Sequence, residues 1–148
     1  MRVLIQRVKY SSCTIDGKVT GKTDKGFMLL IGFKTTDTLA ELEKCQKKVF
    51  GMRIFEDENG KMNKSLLDVG GSILAISQFT LYADCKRGNR PGFTDAMEFN
   101  KASEYYDLFV KMLRDSGLHV ETGIFGADMK IELLNDGPVT ILLDTDDL

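Results

Sequence analysis

Apolar and polar residues alternate over Arg2–Gln6 and again over Tyr10–Ile15, and each stretch predicts a β-strand. Asp16-Gly17 is a hairpin turn signal that leads into Lys18–Thr23. Phe27-Met28-Leu29-Leu30-Ile31-Gly32-Phe33 is apolar almost throughout, the pattern of a buried strand. The period then changes: Leu39, Leu42, Cys45 and Val49 fall at helical spacing, with Thr36 or Asp37 as N-cap and Gly51 as the stop. Arg53-Ile54-Phe55 runs into a turn at Glu56–Gly60, and Ile73–Ala83 reads as a central strand. A second helix is expected from about Asp95 to Ser116, with Phe99, Ala102, Tyr106, Phe109 and Leu113 on one face and Gly117 after it. From Leu118 to Leu143 the pattern is β again, folded into a hairpin at Gly137-Pro138, and an acidic tail follows. Strands outnumber helices and most connections read as hairpins. The expected class is α+β: one domain over residues 1–148, with mixed or antiparallel sheets and two helices packed on one face.

Composition narrows this little. A chain of 148 residues, 43% hydrophobic and 28% charged, matches an ordinary globular domain able to bury a real core. No apolar run approaches the roughly 20 residues of a membrane-spanning helix, and charge interrupts the N-terminus too early for a signal peptide. Cys13, Cys45 and Cys85 are odd in number and far apart. That argues for a reducing cytoplasm and against a disulfide framework or zinc knuckle. With a net charge of −2, any nucleic-acid partner must be met by a local patch. The basic segment Lys86-Arg87-Gly88-Asn89-Arg90 is the candidate.

The familiar catalytic signatures are missing: the sequence has no nucleophile elbow, P-loop, dinucleotide fingerprint or zinc-protease motif. His119 is the single histidine, with no nucleophile placed beside it, and Cys85 has no partner base. No spacing points to a metal. Two segments remain. Ser77-Gln78-Phe79-Thr80 ends an apolar run with hydroxyl and amide groups; as a strand it would point Ser77 and Phe79 one way, Gln78 and Thr80 the other. Asn135-Asp136-Gly137-Pro138-Val139-Thr140 carries one of only two prolines, which belongs in a turn or at an edge, since proline cannot donate to a ladder. A rigid turn lined by carbonyls can police a ligand's shape, and the polar strand end could supply the rest of a pocket. Read residue by residue, no reaction is assigned.

Taken together these segments resemble the D-aminoacyl-tRNA deacylase family, of the D-tyrosyl-tRNA deacylase type. The resemblance runs from Leu4-Ile5-Gln6-Arg7-Val8 through Gly51-Met52-Arg53-Ile54-Phe55, Gly70-Gly71-Ser72 and Ser77-Gln78-Phe79-Thr80-Leu81. It continues through Arg87-Gly88-Asn89-Arg90-Pro91 and Gly126-Ala127-Asp128-Met129 to the Gly137-Pro138 segment. It implies a homodimeric, cofactor-free editing hydrolase that cleaves the ester between a D-amino acid, or mischarged glycine, and the 3′-terminal adenosine of tRNA. Ser77, Gln78, Phe79 and Thr80 would line the adenosine and ester site, with Phe125 and Met129 in the surrounding wall. Gly137-Pro138, in the cis form, would enter the partner subunit's pocket, with Arg7 helping to hold the turn. The step itself could use Thr80 as nucleophile. Alternatively the terminal ribose 2′-hydroxyl could assist water while backbone N–H groups near Phe79 and Thr80 stabilise the oxyanion; the lack of a visible base favours this version. Three rivals are a tRNA-binding module without catalysis, an esterase of small D-amino acid derivatives, and a purely structural protein.

Overall fold

The computed structural model describes all 148 residues. Strand β1 (Arg2–Ile15) organises the sheet. The two alternating stretches are one strand, bridged by Arg7, Val8 and Lys9. The first part of β1 pairs antiparallel with β3 (Gly26–Gly32) and its last part with β2 (Lys18–Thr23). Along its other edge it pairs with β8 (Lys130–Asp144). Beyond β3 lie β6 (Ser72–Ser77) and β7 (Val120–Thr122), both added in parallel. The sheet is therefore mixed, and it nearly closes on itself. The Thr20 hydroxyl of β2 donates to Thr122 O of β7 at 3.4 Å, and a side chain on Gly21 would meet that carbonyl at 2.8 Å.

Parallel neighbours need crossovers. The β3-to-β6 crossover holds helix α1 (Leu39–Gly51), the hairpin of β4 (Arg53–Glu56) and β5 (Met62–Ser65), and the short helix α2 (Leu66–Val69). The β6-to-β7 crossover holds helix α3 (Phe99–Arg114). Because side chains alternate across a strand, Val3, Ile5, Phe27, Leu29, Ile31, Ile73 and Ala75 face the helices. There they meet Leu42, Cys45 and Val49 of α1 and Tyr106, Phe109 and Leu113 of α3. Each fully buried side chain such as Phe27 or Phe109 contributes about 1.5–3 kcal/mol. Met28, Leu74 and Ile76 point to the other face of the sheet, with Val8 and Cys13. No helix is long and apolar enough to cross a membrane.

Several sequence expectations need correction. Helix α1 is capped by Thr38, whose hydroxyl accepts from Ala40 N–H while Glu41 reaches back to Thr38 N–H. Asp37 is occupied elsewhere, accepting from the Met1 amine and the Lys34 N–H, both at 2.7 Å. Gly51 is the last helical residue rather than a left-handed stop, and Leu39 is exposed. Helix α3 starts at Phe99, later than expected, with Glu98 accepting from the Asn100 and Lys101 N–H groups. The expected Gly137-Pro138 hairpin is not a reversal. β8 continues along β1 on both sides of it, and the register slips between Gln6↔Thr140 and Val8↔Asn135. The extra residues leave the ladder as a protruding loop.

Candidate functional site

Strand β6 ends at Ser77, where Gln78 N–H donates to Ile31 O at 2.7 Å. The expected continuation to Ala83 does not form. Phe79–Tyr82 wind into one turn of 3₁₀ helix, so the predicted alternation of Gln78 and Thr80 against Ser77 and Phe79 fails. The turn can lie on β3 because residue 32 is glycine: a Cβ there would stand 2.9 Å from Gln78 O and 3.2 Å from Leu81 Cβ. Within the turn, Leu81 N–H bonds Gln78 O and Ala83 N–H bonds Thr80 O. The Phe79 and Thr80 N–H groups occupy the first turn, where a helix offers its donors no internal acceptor.

Beside this turn opens a cavity of about 530 Å³. Ser77, Gln78, Phe79, Phe125 and Met129 all line it, so these predicted positions converge from β6, the 3₁₀ turn and the loop before β8. Its walls are largely apolar, with two edge-to-face ring pairs, Phe79–Phe93 at 4.9 Å and Phe99–Phe125 at 5.0 Å between centroids. Met129 fits because residue 123 is glycine; any side chain there would drive into the Met129 Sδ. Thr80 does not line the cavity. Its exposed hydroxyl donates to Gln78 Oε1 at 2.7 Å, and no histidine or carboxylate is bonded to it. Phe93, Met97, Phe99 and Asp128 line the cavity without having been singled out from sequence. Phe93, Met97 and Asp128 lie in loops, where no local periodicity marks them, and the helical spacing of Phe99 marks a core face rather than a cavity wall.

The remaining predicted residues lie together elsewhere. Arg7, buried in β1, donates from Nε to Asp136 O at 3.0 Å and from Nη1 to Ile54 O at 2.6 Å. Asn135 closes the same loop: its Oδ1 accepts from Val139 N–H and its Nδ2 donates to Thr140 Oγ1. Between these ties the Gly137-Pro138 peptide is cis, both residues are exposed, and Gly137 takes φ +136°, a value that favours glycine. Neither residue lines the cavity of its own chain.

The other candidates have plain surroundings. His119 is on the surface, with Nε2 3.1 Å from Glu121 Oε1. Burial pushes the Cys45 thiol up to about 12, which keeps it protonated. Cys85 and the basic residues sit in an exposed loop whose base is pinned by paired Asp84 and Gly92 backbones, at 2.7 and 2.8 Å. No three His, Cys, Asp or Glu side chains gather so as to hold a metal ion.

Residues 4–144 match the family model described as D-Tyr-tRNA(Tyr) deacylase. The chain belongs to the D-aminoacyl-tRNA deacylase family. A Lactobacillus helveticus relative named D-aminoacyl-tRNA deacylase, a hydrolase, is 56% identical, over 97% of this chain and 99% of its own. A Clostridium novyi protein of the same name is 50% identical, over 98% and 97%. Among solved structures, one described as a c-Myc DNA unwinding element binding protein superposes with a TM-score of 0.92 at 39% identity, covering 98% of this chain and 99% of its own. Another, described as a probable eukaryotic D-amino acid tRNA deacylase, gives 0.84 at 18% identity, over 96% and 97%, and so attests the fold.

Proposed function

We propose that residues 1–148 act as one cytoplasmic D-aminoacyl-tRNA deacylase domain, working as a homodimer without a cofactor. The observation that carries the reading is the cavity at the end of β6, walled by Ser77, Gln78 and Phe79 and flanked by first-turn N–H donors, in a chain of this family. An aromatic-walled space suits the terminal adenine. The Phe79 and Thr80 N–H groups are free to take the oxygen that becomes negative as the ester carbonyl is attacked. Water, assisted by the ribose 2′-hydroxyl, adds to that carbon. The bond to the 3′-oxygen then breaks, and that oxygen takes the proton. Thr80 serves as a backbone donor rather than a nucleophile, in keeping with a hydroxyl already donating to Gln78.

Chirality is read by the Gly137-Pro138 loop of the partner subunit. Its carbonyls crowd the space an L side chain needs, while a D side chain points outward and glycine, lacking Cβ, passes. Such a filter works by rejection, so it tolerates many D side chains. Two features support a shared site: the exposed Gly137-Pro138 step does not line its own chain's cavity, and β8 is an edge strand carrying exposed Leu134 and Leu142. An isologous pair would place each loop in its partner's cavity. The name of the 39%-identical neighbour motivates one alternative, a nucleic-acid-binding module without hydrolysis.

The test is deacylation of D-tyrosyl-, L-tyrosyl- and glycyl-tRNA with EDTA present. Loss of the D and glycyl esters with the L ester intact is the expected result. Equal loss of both tyrosyl esters would refute the chiral filter. Binding of tRNA with every ester intact would establish the binding module instead.

A further inference from the structure

The 3₁₀ turn Phe79–Tyr82 carries the backbone donors of the proposed reaction, yet it lies over Gly32, which offers no side chain to interlock with it. Its leading end is fixed by the bond from Gln78 N–H to Ile31 O. The trailing end is fixed by a residue from the far end of the chain. Arg2 Nη1 donates to Leu81 O at 2.6 Å, filling an acceptor that a short helix leaves open at its C-terminal end. The same guanidinium lies 4.5 Å from the centre of the Tyr82 ring, and its Nε donates to Asp144 Oδ2 at 2.8 Å. Tyr82 supplies no polar tie of its own, because its buried hydroxyl has no hydrogen-bond partner.

We infer that Arg2, held by Asp144, is a positioning residue for the deacylation step: it fixes the Phe79–Tyr82 turn so that the Phe79 and Thr80 N–H groups stay aimed at the substrate carbonyl. This rests on the deacylase reading above. The pair is well made for the task. Asp144 is largely buried, a setting that by itself would raise its carboxyl pKa, but the Arg2 hydrogen bond and the Asp146 N–H outweigh burial and hold it below the usual carboxylate value. The carboxylate hydrogen bond in turn raises the guanidinium pKa. Both partners stay charged at any pH near neutrality. A planar, multi-donor group is suited to bond Asp144 and Leu81 O at once while its centre sits over the Tyr82 ring. Arg2 and Asp144 are also directly opposite in the β1–β8 ladder, so the strand that carries the Gly137-Pro138 loop also anchors the turn.

The experiment compares the unaltered protein with Arg2→Met, Arg2→Lys and Asp144→Asn in single-turnover and steady-state deacylation of D-tyrosyl-tRNA. Activity of the unaltered protein judges the deacylase reading; the variants judge only the role of Arg2. Displacing a donor by a fraction of an ångström lowers kcat about tenfold or more in Arg2→Met, while KM stays within about threefold. Arg2→Lys recovers part of that loss. The Arg2→Met, Asp144→Asn double variant is no slower than Arg2→Met, because both changes break one tie. An Arg2→Met protein with unchanged kcat, or with kcat falling only in step with its melting temperature, overturns the inference. If Arg2→Met fails to fold, Asp144→Asn decides in the same way: it leaves the guanidinium in place but unheld, and unchanged kcat there sinks the role.

Discussion

At the scale of single residues, part of the cavity wall is legible, with Phe125 and Met129 coming through the family resemblance, and its conformation is not. Ser77, Gln78, Phe79, Phe125 and Met129 were all singled out, and all five line one space. The error lay in running a strand through Thr80. Ser77-Gln78-Phe79-Thr80-Leu81 alternates well enough to pass as β, and what ends the strand is nonlocal: the glycine at position 32 and the guanidinium of Arg2. The correction bears on chemistry. The lack of a base already favours the backbone N–H groups of Phe79 and Thr80 over a Thr80 nucleophile, and the 3₁₀ turn leaves those two donors in its first turn. Thr80→Ala keeps both donors and removes only a hydroxyl that bonds Gln78. Its kcat for D-tyrosyl-tRNA should stay within about tenfold of the unaltered protein, whereas loss of a nucleophile would cost several orders of magnitude. Rapid-quench deacylation with a folded, tRNA-binding variant separates the two.

At the scale of elements, the two long helices and the positions of most strands could be read, but not where elements join or end: β1 and β8 were each expected as two strands, and β5 and α2 were not expected. Asp37 looked like the cap of α1 because sequence cannot show that the Met1 amine, the Thr145 hydroxyl and the Lys34 N–H meet at that corner. The caps that do form bring carboxylates onto backbone donors, beside the Thr38 and Ser65 hydroxyls in α1 and α2 and alone at Glu98 in α3. Glu41 is held below its usual pKa by the Thr38 hydroxyl first and the Thr38 N–H second. Asp68 is lowered by the Ser65 N–H, and Glu98 by the Lys101 and Asn100 N–H groups. Each has a folded pKa below its unfolded value. The contribution of each is therefore complete above the ordinary value near 4 and is lost as pH falls through the folded one. The melting temperature, followed by circular dichroism, should drop as pH falls from about 4.5 toward 3. Glu41→Gln and Glu98→Gln should start lower at neutral pH and show a shallower drop. Equal slopes in all three proteins would assign the acid sensitivity to other groups.

At the scale of the whole molecule, the feature least legible in the sequence is how β8 runs. Gly137-Pro138 between two apolar runs reads as a hairpin, but the hairpin partner it needs is already replaced by β1, which takes both halves of β8. The residues left over protrude, tied at their base by Arg7 and Asn135. A loop tied at its base yet absent from the wall of its own chain's cavity makes sense if it serves a second copy, and that arrangement predicts an unusual mixing result. Inserting two glycines between Asp136 and Gly137 should leave folding intact, since the added length stays outside the ladder, and should let L-tyrosyl-tRNA be hydrolysed alongside the D form. A second variant, Ala127→Trp, fills the cavity and should be inactive while keeping a normal loop. Co-refolding the first variant with an excess of the second gives heterodimers in which each open cavity receives an unaltered loop. The inactive subunit should then restore rejection of L-tyrosyl-tRNA while hydrolysis of the D ester continues. If the loop instead acted within its own chain, added inactive subunits would leave the ratio of L to D hydrolysis unchanged.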